Sequence, residues 1–223
     1  MQFKVITLFP SVIETYCQTS IIGRAQDNAL IEIQCLNPRH FSTDPHRKVD
    51  DSPYGGGDGM VMACQPIDDA FTSLSPLAQP ARILLTEPTG RRFDQNFAKE
   101  LSQCQTIVII SGHYEGIDHR IESLIPNIEP VSLGPWVMTG GELAALCIID
   151  SISRLLPGVV GKEGSVVHDS FFTEGQIDYP HYTRPAEYKG LKVPEVLLSG
   201  NHGAIAAWRL EQSELRQKTQ TQT

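Results

Sequence analysis

Basic residues are scarce in this chain, because 18 Lys and Arg face 26 Asp and Glu and the formal net charge is −8. This balance excludes a protein that coats nucleic acid nonspecifically, although it leaves room for a local site. The basic side chains concentrate at Arg39, His40, His46, Arg47 and Lys48. This cluster can hold a polyanion or can be an ordinary solvated loop, and charge alone favours the solvated loop.

Long hydrophobic runs are also missing, since the longest, ARILLTE and TIVIIS, have only the length of a strand. The N-terminal stretch MQFKVITLFP lacks the basic start and apolar core of a signal peptide, so we expect a cytoplasmic protein without membrane contact. No C-x-x-C spacing occurs, which argues against a disulfide framework or a zinc cluster. We expect reduced, mostly buried thiols at Cys17, Cys35, Cys64, Cys104 and Cys147.

Short stretches rich in β-branched residues alternate with helical patterns. They are FKVITLF, LIEIQCL, ARILLTE, TIVIISG and IEPVSLG. The alternation predicts an α/β domain with a mainly parallel sheet. Ligands bind beyond the carboxyl ends of the strands in such sheets. We therefore expect the loops TEPTGRR, SGHYEG and SLGPWVMTGG to converge on one pocket.

Two adjacent glycines mark the start of a predicted helix. Thr139 and Glu142 fit a capping box with Thr139 as the N-cap, which places Gly140 and Gly141 in the first helical turn. Each glycine in a helix costs roughly 0.5–1 kcal/mol relative to alanine. The pattern therefore indicates that either another chain segment or a ligand approaches this backbone closely.

Three further features each allow a functional and a structural interpretation. The glycine-rich run of residues 50–60, DDSPYGGGDGM, lacks the lysine of a phosphate loop and is either a mobile turn or a substrate loop. Glu115 in SGHYEGIDHR is either a site carboxylate or a surface partner of Arg120. Arg154 lies one helical turn after Asp150 and fits a simple ion pair. The histidines show no metal-ligand spacing, and no protein metal site is predicted.

The C-terminal third has a different pattern. Apolar residues in the segment 159–185 follow neither a helical nor a strand periodicity, and a connection this long is usually functional or disordered. Its aromatic residues Phe171, Phe172, Tyr179 and Tyr182 favour a segment that orders on binding. Residues 186–223 predict a small helical unit with Asn201 as an N-cap, followed by a polar tail. We therefore divide the chain into a cofactor-binding domain (1–158), an interdomain segment (159–185) and a small helical domain (186–223).

Six motifs together resemble the bacterial tRNA (guanine-N1)-methyltransferases. They are DDSPYGGGDGMVM, GHYEGIDHR, SLGPWVMTGGELAALCIIDSISRLLPGV, DSFF, DYPHYTRP and VPEVLLSGNHGAIAAWR, and the similarity extends from ITLFP to Arg209. The resemblance implies a deep C-terminal trefoil knot of the SPOUT class in the α/β domain, an exception to unknotted topology. It further implies a tRNA-binding helical domain and methylation of guanine N1 immediately 3′ of the anticodon (position 37), which supports reading-frame maintenance.

The resemblance also implies site residues. Asp169 corresponds to the general base and Arg154 to its electrophilic partner, in a homodimer whose active sites lie at the interface. S-adenosyl-L-methionine is the implied methyl donor. Some members of the family also use magnesium, and the resemblance leaves open whether this chain does. We expect tRNA contacts at Arg39, Arg47, Lys48, Tyr54 and Gly59. The implied cofactor pocket comprises Pro88, Gly112, Tyr114, Glu115, Gly116, Ser132, Leu133, Gly134, Pro135, Trp136, Val137, Met138, Gly140 and Gly141.

The residue types suit this chemistry. Guanine N1 carries a proton and is a poor nucleophile, so a carboxylate such as Asp169 must remove that proton as the methyl group moves. Negative charge then develops toward O6, where Arg154 can stabilise it. A sulfonium methyl group is already activated, so the protein mainly aligns donor and acceptor and excludes water.

Four positions depart from the family pattern. His113, Pro135, Trp136 and Ala144 stand where many members have arginine, aspartate, tyrosine and proline. His113 removes a permanent charge and Pro135 removes a carboxylate and a backbone donor, which puts cofactor affinity and the role of magnesium in doubt. Two rival functions stay open: methylation of ribosomal RNA or another tRNA position, and binding of RNA or S-adenosylmethionine without chemistry.

Overall fold

The computed structural model describes residues 1–161, 169–173 and 175–220. The chain divides into two compact units, Met1–Lys162 and Glu163–Thr223. The predicted interdomain segment 159–185 spans this division, and its residues 162–168 and 174 lie outside the described residues.

The first unit contains the strands β1 (Gln2–Ile6), β2 (Glu32–Leu36), β3 (Asp50–Asp51), β4 (Val61–Met62), β5 (Ala81–Arg92), β6 (Thr106–Ser111) and β7 (Ile128–Ser132). Five of them form a wholly parallel sheet with the order β2-β1-β6-β5-β7. Each of the five predicted strands is present, so the mainly parallel α/β class is confirmed. A separate antiparallel pair, β3 with β4, flanks the glycine-rich loop.

Helices connect these strands. They are α1 (Pro10–Cys17), α2 (Ser20–Asp27), a 3-10 turn (Pro38–His40), α3 (Cys64–Thr72), α4 (Gln95–Leu101), α5 (Ile121–Leu124) and α6 (Glu142–Ser153). Asp94 is the N-cap of α4, because its carboxylate accepts a hydrogen bond from the Phe97 N–H over 2.8 Å.

Strand β6 lies at the centre of the sheet and all six of its residues are buried. Its side chains alternate between two hydrophobic clusters, because successive side chains of a strand point to opposite faces. Ile107 and Ile109 belong to one cluster with Phe97 of α4, and Val108 and Ile110 belong to the other. The sheet is therefore covered on both faces, as parallel sheets require.

Strand β5 is longer than the sequence predicted. The TEPTGRR stretch, expected to be a loop, continues the strand to Arg92, but the pairing with β7 shifts register between Thr86 and Arg91. The intervening residues leave the regular ladder while both ends stay paired. This irregularity places Glu87 and Pro88 at the edge where the cavity described below forms.

The second unit contains a hairpin that the sequence pattern did not reveal, formed by β8 (Glu187–Tyr188) and β9 (Leu191–Lys192). Its turn residues Lys189 and Gly190 both have positive φ, as tight two-residue hairpin turns need. Helices α7 (Glu195–Leu198) and α8 (His202–Gln220) follow. The side chain of Asn201 accepts a hydrogen bond from the Ala204 N–H over 3.1 Å, which confirms the predicted N-cap.

Candidate active site

The loop after β6 turns sharply and is fixed to the glycine-rich loop. Tyr114 and Gly116 have positive φ values of 59° and 125°. The N–H of Glu115 donates to the carbonyl oxygen of Met60 over 3.0 Å. Gly59 has a positive φ of 86°, which favours glycine, and a Cβ there would lie 2.6 Å from Cγ of Glu115 and would displace that side chain. The predicted substrate residue Gly59 therefore packs directly against the predicted cofactor residue Glu115.

The predicted capping box at the start of α6 is wrong. Gly141 occupies the N-cap and α6 begins at Glu142, so both glycines precede the helix. The Glu142 carboxylate accepts a buried hydrogen bond from the Thr7 hydroxyl over 2.7 Å. The chain at Gly140 is instead held by a bridge to His113, which delays the start of the helix. The start of α6 is therefore set by the contact between Gly140 and the loop after β6, and not by the local Thr139–Glu142 capping pattern.

Close contacts with other atoms of the chain explain why Gly140 and Gly141 carry no side chain. A Cβ on Gly141 would overlap the Thr86 hydroxyl and come within 2.9 Å of the Ser111 Cα. A Cβ on Gly140 would lie 2.6 Å from Nδ1 of His113 and would also overlap the Glu142 carboxylate. Of the two explanations that the sequence allowed, close approach of another chain segment is therefore present in the structure.

The three predicted loops meet around a cavity of about 260 Å3. This volume is close to the lower end of the range of about 300–1,000 Å3 for small-molecule sites. Pro135 is the one predicted cofactor residue that does not line it. The lining includes the predicted residues Pro88, Gly112, Tyr114, Glu115, Gly116, Ser132, Leu133, Gly134, Trp136, Val137, Met138, Gly140 and Gly141.

The loop after β7 is tightly folded beside the cavity. The Ser132 hydroxyl donates to the carbonyl oxygen of Gly134 over 3.0 Å, and the Gly134 N–H donates back to that hydroxyl over 3.1 Å. The ring of Trp136 covers Gly134, where any Cβ would overlap the ring. Half of the Trp136 surface stays exposed, at 52%. Trp136 therefore presents an aromatic face at the cavity wall.

The described lining of the cavity is acidic. Glu87, Glu115 and Glu122 contribute carboxylates, and the described lining residues include neither lysine nor arginine. The Ser111 hydroxyl and Nδ1 of His113 are buried without a hydrogen-bond partner at the same strand end. Carboxylates attract a cation, and buried unsatisfied polar atoms can receive hydrogen bonds from a ligand. This combination suits a polar organic cation better than a nucleoside polyphosphate.

Several lining residues were not identified from the sequence. Glu87 and Glu122 are examples, and His119 holds Glu122 with an Nδ1–Oε1 distance of 2.9 Å. Glu87 lies at the cavity because of the register shift in β5. Glu122 lies there because it belongs to the short helix α5. Glu87 lies within TEPTGRR, whose position after a buried strand was the available signal. Glu122 carried no comparable signal.

The predicted tRNA contacts are distributed around the Tyr114 side of this site. A guanidinium nitrogen of Arg39 lies 3.4 Å from the Tyr114 hydroxyl, and another lies 3.4 Å from the carbonyl oxygen of Arg47. Arg47 and Lys48 are exposed, and the Asp44 carboxylate accepts a hydrogen bond from the Lys48 N–H over 3.2 Å. Tyr54 is fully exposed in the glycine-rich loop. The structure thus brings Arg39 and Gly59 against cavity residues and leaves Tyr54, Arg47 and Lys48 facing solvent.

Glu115 is not the partner of Arg120, because Arg120 pairs with Asp118. Hydrogen bonds from the Arg120 guanidinium hold the pKa of Asp118 well below the ordinary range, and Asp118 in turn raises the pKa of Arg120. The surface-pair interpretation of Glu115 is therefore wrong, and its carboxylate is available at the cavity wall.

The two predicted catalytic residues lie in different units. Arg154 caps the C-terminus of α6, where its N–H donates to the carbonyl oxygen of Asp150 over 3.1 Å. The Asp150 carboxylate accepts a hydrogen bond from the Tyr16 hydroxyl over 2.7 Å, which raises the Tyr16 pKa to about 12. Asp169 is half-buried in the second unit, and its carbonyl oxygen accepts from the Phe172 N–H over 3.2 Å.

The cysteines are less buried than predicted. Cys17 is buried, Cys35, Cys64 and Cys104 are half-buried, and Cys147 is exposed. Burial raises the pKa of the Cys17 and Cys64 thiols to about 11, so neither is a ready thiolate nucleophile. Within the part of the chain that the structure describes, no three His, Cys, Asp or Glu side chains form a metal-binding group. No helix among these residues is long and apolar enough to cross a membrane.

Comparison with known proteins agrees with this arrangement. The sequence model of the family described as tRNA (Guanine-1)-methyltransferase TrmD matches residues 1–222. A tRNA (guanine-N(1)-)-methyltransferase of Ruminiclostridium cellulolyticum is 51% identical over 214 residues, which cover 96% of this chain and 91% of the relative. A protein of the same name from Synechocystis is 50% identical over 216 residues, covering 97% of this chain and 92% of the relative.

Proposed function

The chain belongs to the tRNA (guanine-1)-methyltransferase family, and from this premise we propose that it methylates N1 of the guanine immediately 3′ of the anticodon (position 37) of tRNA. S-adenosyl-L-methionine is the proposed methyl donor. The observation that carries the proposal is the acidic cavity at the strand ends, in a chain that matches the family over nearly its full length. Modification of this nucleotide supports reading-frame maintenance in the cytoplasm.

The cavity fits the proposed donor in charge and in chemistry. S-adenosyl-L-methionine supplies a methyl group that its positively charged sulfur has already activated. Glu87 and Glu115 provide the negative potential that favours this charge, while Trp136 and Leu133 offer apolar surface to the adenosine. The unsatisfied Nδ1 of His113 is a further hydrogen-bonding group for the bound molecule.

Asp169 and Arg154 are the proposed catalytic residues. The carboxylate of Asp169 accepts the proton from guanine N1, and the guanidinium of Arg154 stabilises the negative charge that develops at O6. No covalent intermediate with the protein is needed. The same premise leaves open whether magnesium is a second cofactor. Adding EDTA to the methylation assay measures whether the reaction depends on it.

A homodimer with active sites at its interface belongs to the same proposal. Its support is that two helices in contact each carry exposed apolar side chains, Val12 and Tyr16 on α1 and Leu143 on α6. Exposed apolar side chains on neighbouring helices favour a protein contact when they form one patch. We further assign the family's trefoil knot to the C-terminal part of the first unit and tRNA binding to residues 186–223.

Arg39, Arg47 and Lys48 are the proposed phosphate contacts, with Tyr54 and Gly59 on the substrate loop. The contact between Arg39 and Tyr114 supports this assignment, because it joins the basic cluster to the cavity wall. The acidic chain as a whole requires such a local cluster for a polyanionic substrate.

Methylation of two tRNA transcripts tests the proposed function. One transcript carries guanosine immediately 3′ of the anticodon and the other carries adenosine there, and both are incubated with the protein and S-adenosyl-L-methionine. We expect a primer-extension stop at that nucleotide only in the first transcript. A stop at another tRNA position or in ribosomal RNA would support the first rival, and binding without any stop would support the second.

A further inference from the structure

The second unit contains a separate cavity of about 430 Å3, lined by residues 179–184, by Ala186 and Val193, and by side chains of α7 and α8. It lies in the unit that includes residues 186–223, the range to which tRNA binding is assigned above, but no residue assigned individually to cofactor, substrate or catalysis lines it. Val193, Leu197 and Ile205 contribute apolar surface to the lining. Cavities of this volume with a few polar groups are typical ligand sites.

Aromatic and guanidinium planes dominate the rest of this cavity. The ring centres of Tyr182 and Trp208 are 6.3 Å apart and the rings are inclined by 56°. The guanidinium carbon of Arg209 lies 4.7 Å from the ring centre of Tyr179. Tyr182 remains 49% exposed, so its ring is available to a ligand. Aromatic rings and arginine planes are the surfaces on which unstacked nucleobases bind.

The charge of this cavity is opposite to that of the first. Arg184, Arg209 and His181 contribute its basic groups, and the lining residues that the structure describes include no carboxylate. His181 lies 2.7 Å from Oδ2 of Asp178, which is outside the lining. An anionic ligand with a flat ring therefore fits the second cavity, as a cation fits the first.

We propose that this cavity binds one unstacked nucleotide of the tRNA, with its base against Tyr182 and Trp208 and its phosphate near Arg184 and Arg209. The proposal rests on the proposed function, because it adds a second contact with the same substrate. Such a contact would position the tRNA without taking part in methyl transfer.

Two substitutions in the full-length protein test it, with tRNA transcript as the probe. Tyr182→Leu removes the aromatic face and keeps an apolar side chain, and we expect the Kd for tRNA to rise about tenfold, as for loss of one stacked base. Arg209→Gln should raise the Kd and also lower the slope of log K against log salt by about 0.7, as for one phosphate on single-stranded RNA. Neither change should alter the Kd for S-adenosyl-L-methionine.

The chain offers a matched control for each variant. Tyr188 is an exposed tyrosine of the same unit that does not line the cavity, and Lys192 is an exposed cation whose Nζ lies 3.9 Å from Glu187. Tyr188→Leu and Lys192→Gln should leave tRNA affinity and salt slope as in the unmodified protein. Circular dichroism melts of all four variants check that the unit remains folded.

Trp208 gives a direct signal, because the chain contains only two tryptophans, Trp136 and Trp208. In a Trp136→Phe background, tRNA should quench the fluorescence of Trp208, and Tyr182→Leu should weaken that quenching.

Three results would overturn the proposal: equal tRNA affinity in Tyr182→Leu and Tyr188→Leu, unchanged Trp208 fluorescence on tRNA binding, or a changed oligomeric state in place of a changed affinity. Loss of the proposed function would show differently, as absence of methylation in the unmodified protein.

Discussion

The backbone N–H of Gly141 donates a hydrogen bond to the carbonyl oxygen of Gly112 over 2.8 Å. This bond joins the start of α6 to the loop after β6, and both residues line the first cavity. The N–H of Ala145 then donates to the carbonyl oxygen of Gly141 over 2.9 Å, as the first bond of the helix. The start of α6 and the cavity wall are therefore positioned by the same residue.

Gly141→Ala should destabilise the protein, because the added Cβ overlaps the Thr86 hydroxyl. We expect the free energy of unfolding to fall by about 1–3 kcal/mol, the usual cost of overpacking. Urea denaturation followed by circular dichroism measures it. Gly161→Ala is the matched control, since nothing lies within 4 Å of a Cβ there. Adding Thr86→Ala should restore part of the loss, and equal stability of the two alanine variants would contradict the packing argument.

The sequence predicted the sheet well and the start of α6 poorly, for one physical reason. Strands such as β6 carry their signal in their own β-branched residues, so local composition was sufficient. The N-cap of α6 depends on Thr7 and His113, which are distant in sequence from Glu142 and Gly140. The same limit applies to Glu87, whose place in the cavity follows from a register shift between two strands. The resemblance identified most of the cavity lining, which spacing alone could not.

Acid should weaken the first unit through a ring of four charged residues. Arg82 and Arg91 each contact both Glu100 and Glu129, and the Arg91 guanidinium carbon lies 3.7 Å from the Phe97 ring centre. Hydrogen bonds from Arg82 and then Arg91 lower the pKa of Glu100. A carboxyl with a lowered folded-state pKa stabilises above its unfolded pKa of about 4.3, and this contribution is lost as pH falls through the folded value.

Glu100→Gln should therefore make stability depend less steeply on pH between about pH 5 and 3. Denaturant unfolding at a series of pH values measures that slope. Arg91→Gln should flatten the slope in the same direction, and combining it with Glu100→Gln should add less than the sum of the two changes. An additive double variant would show that these side chains do not act together.

Arg47 and Lys48 should contribute to tRNA affinity through charge. For the double variant Arg47→Gln/Lys48→Gln we expect the slope of log K against log salt to fall by about 1.4–1.8, as for two lost phosphate contacts. Filter binding at several salt concentrations measures it. Arg24→Gln removes an exposed cation from α2 and should leave the slope unchanged. Identical slopes in the double variant and the unmodified protein would assign these residues to a solvated loop.

Leu143→Glu should dissociate the proposed homodimer. Leu143 is 59% exposed on α6, beside a helix that carries the exposed side chains Val12 and Tyr16. Burying a carboxylate among apolar groups is costly, so sedimentation analysis should show a monomer. Leu124→Glu places the same charge at an exposed leucine of α5 and should leave the dimer intact. A Leu143→Glu protein that sediments as a dimer would place the interface elsewhere.

Asp169→Asn should lower the rate of methylation by about 10²–10⁴, the usual contribution of a general base, because the amide cannot accept the N1 proton. Arg154→Ala should reduce the rate through lost stabilisation of the charge at O6. Single-turnover assays at saturating tRNA and S-adenosyl-L-methionine measure both effects, with Kd values for each ligand as controls for binding.

A heterodimer of these two inactive variants tests whether the catalytic pair acts across the proposed interface. If Asp169 of one subunit serves the site that contains Arg154 of the other, one site of the heterodimer carries both substitutions and the other carries neither. A heterodimer purified through two different affinity tags should then methylate about half as much tRNA in a single turnover as the unmodified dimer. If both residues act within one subunit, every site carries one substitution and the heterodimer stays as inactive as its parents. Activity at half the sites therefore supports the assignment across the interface, and its absence in a correctly assembled heterodimer contradicts it.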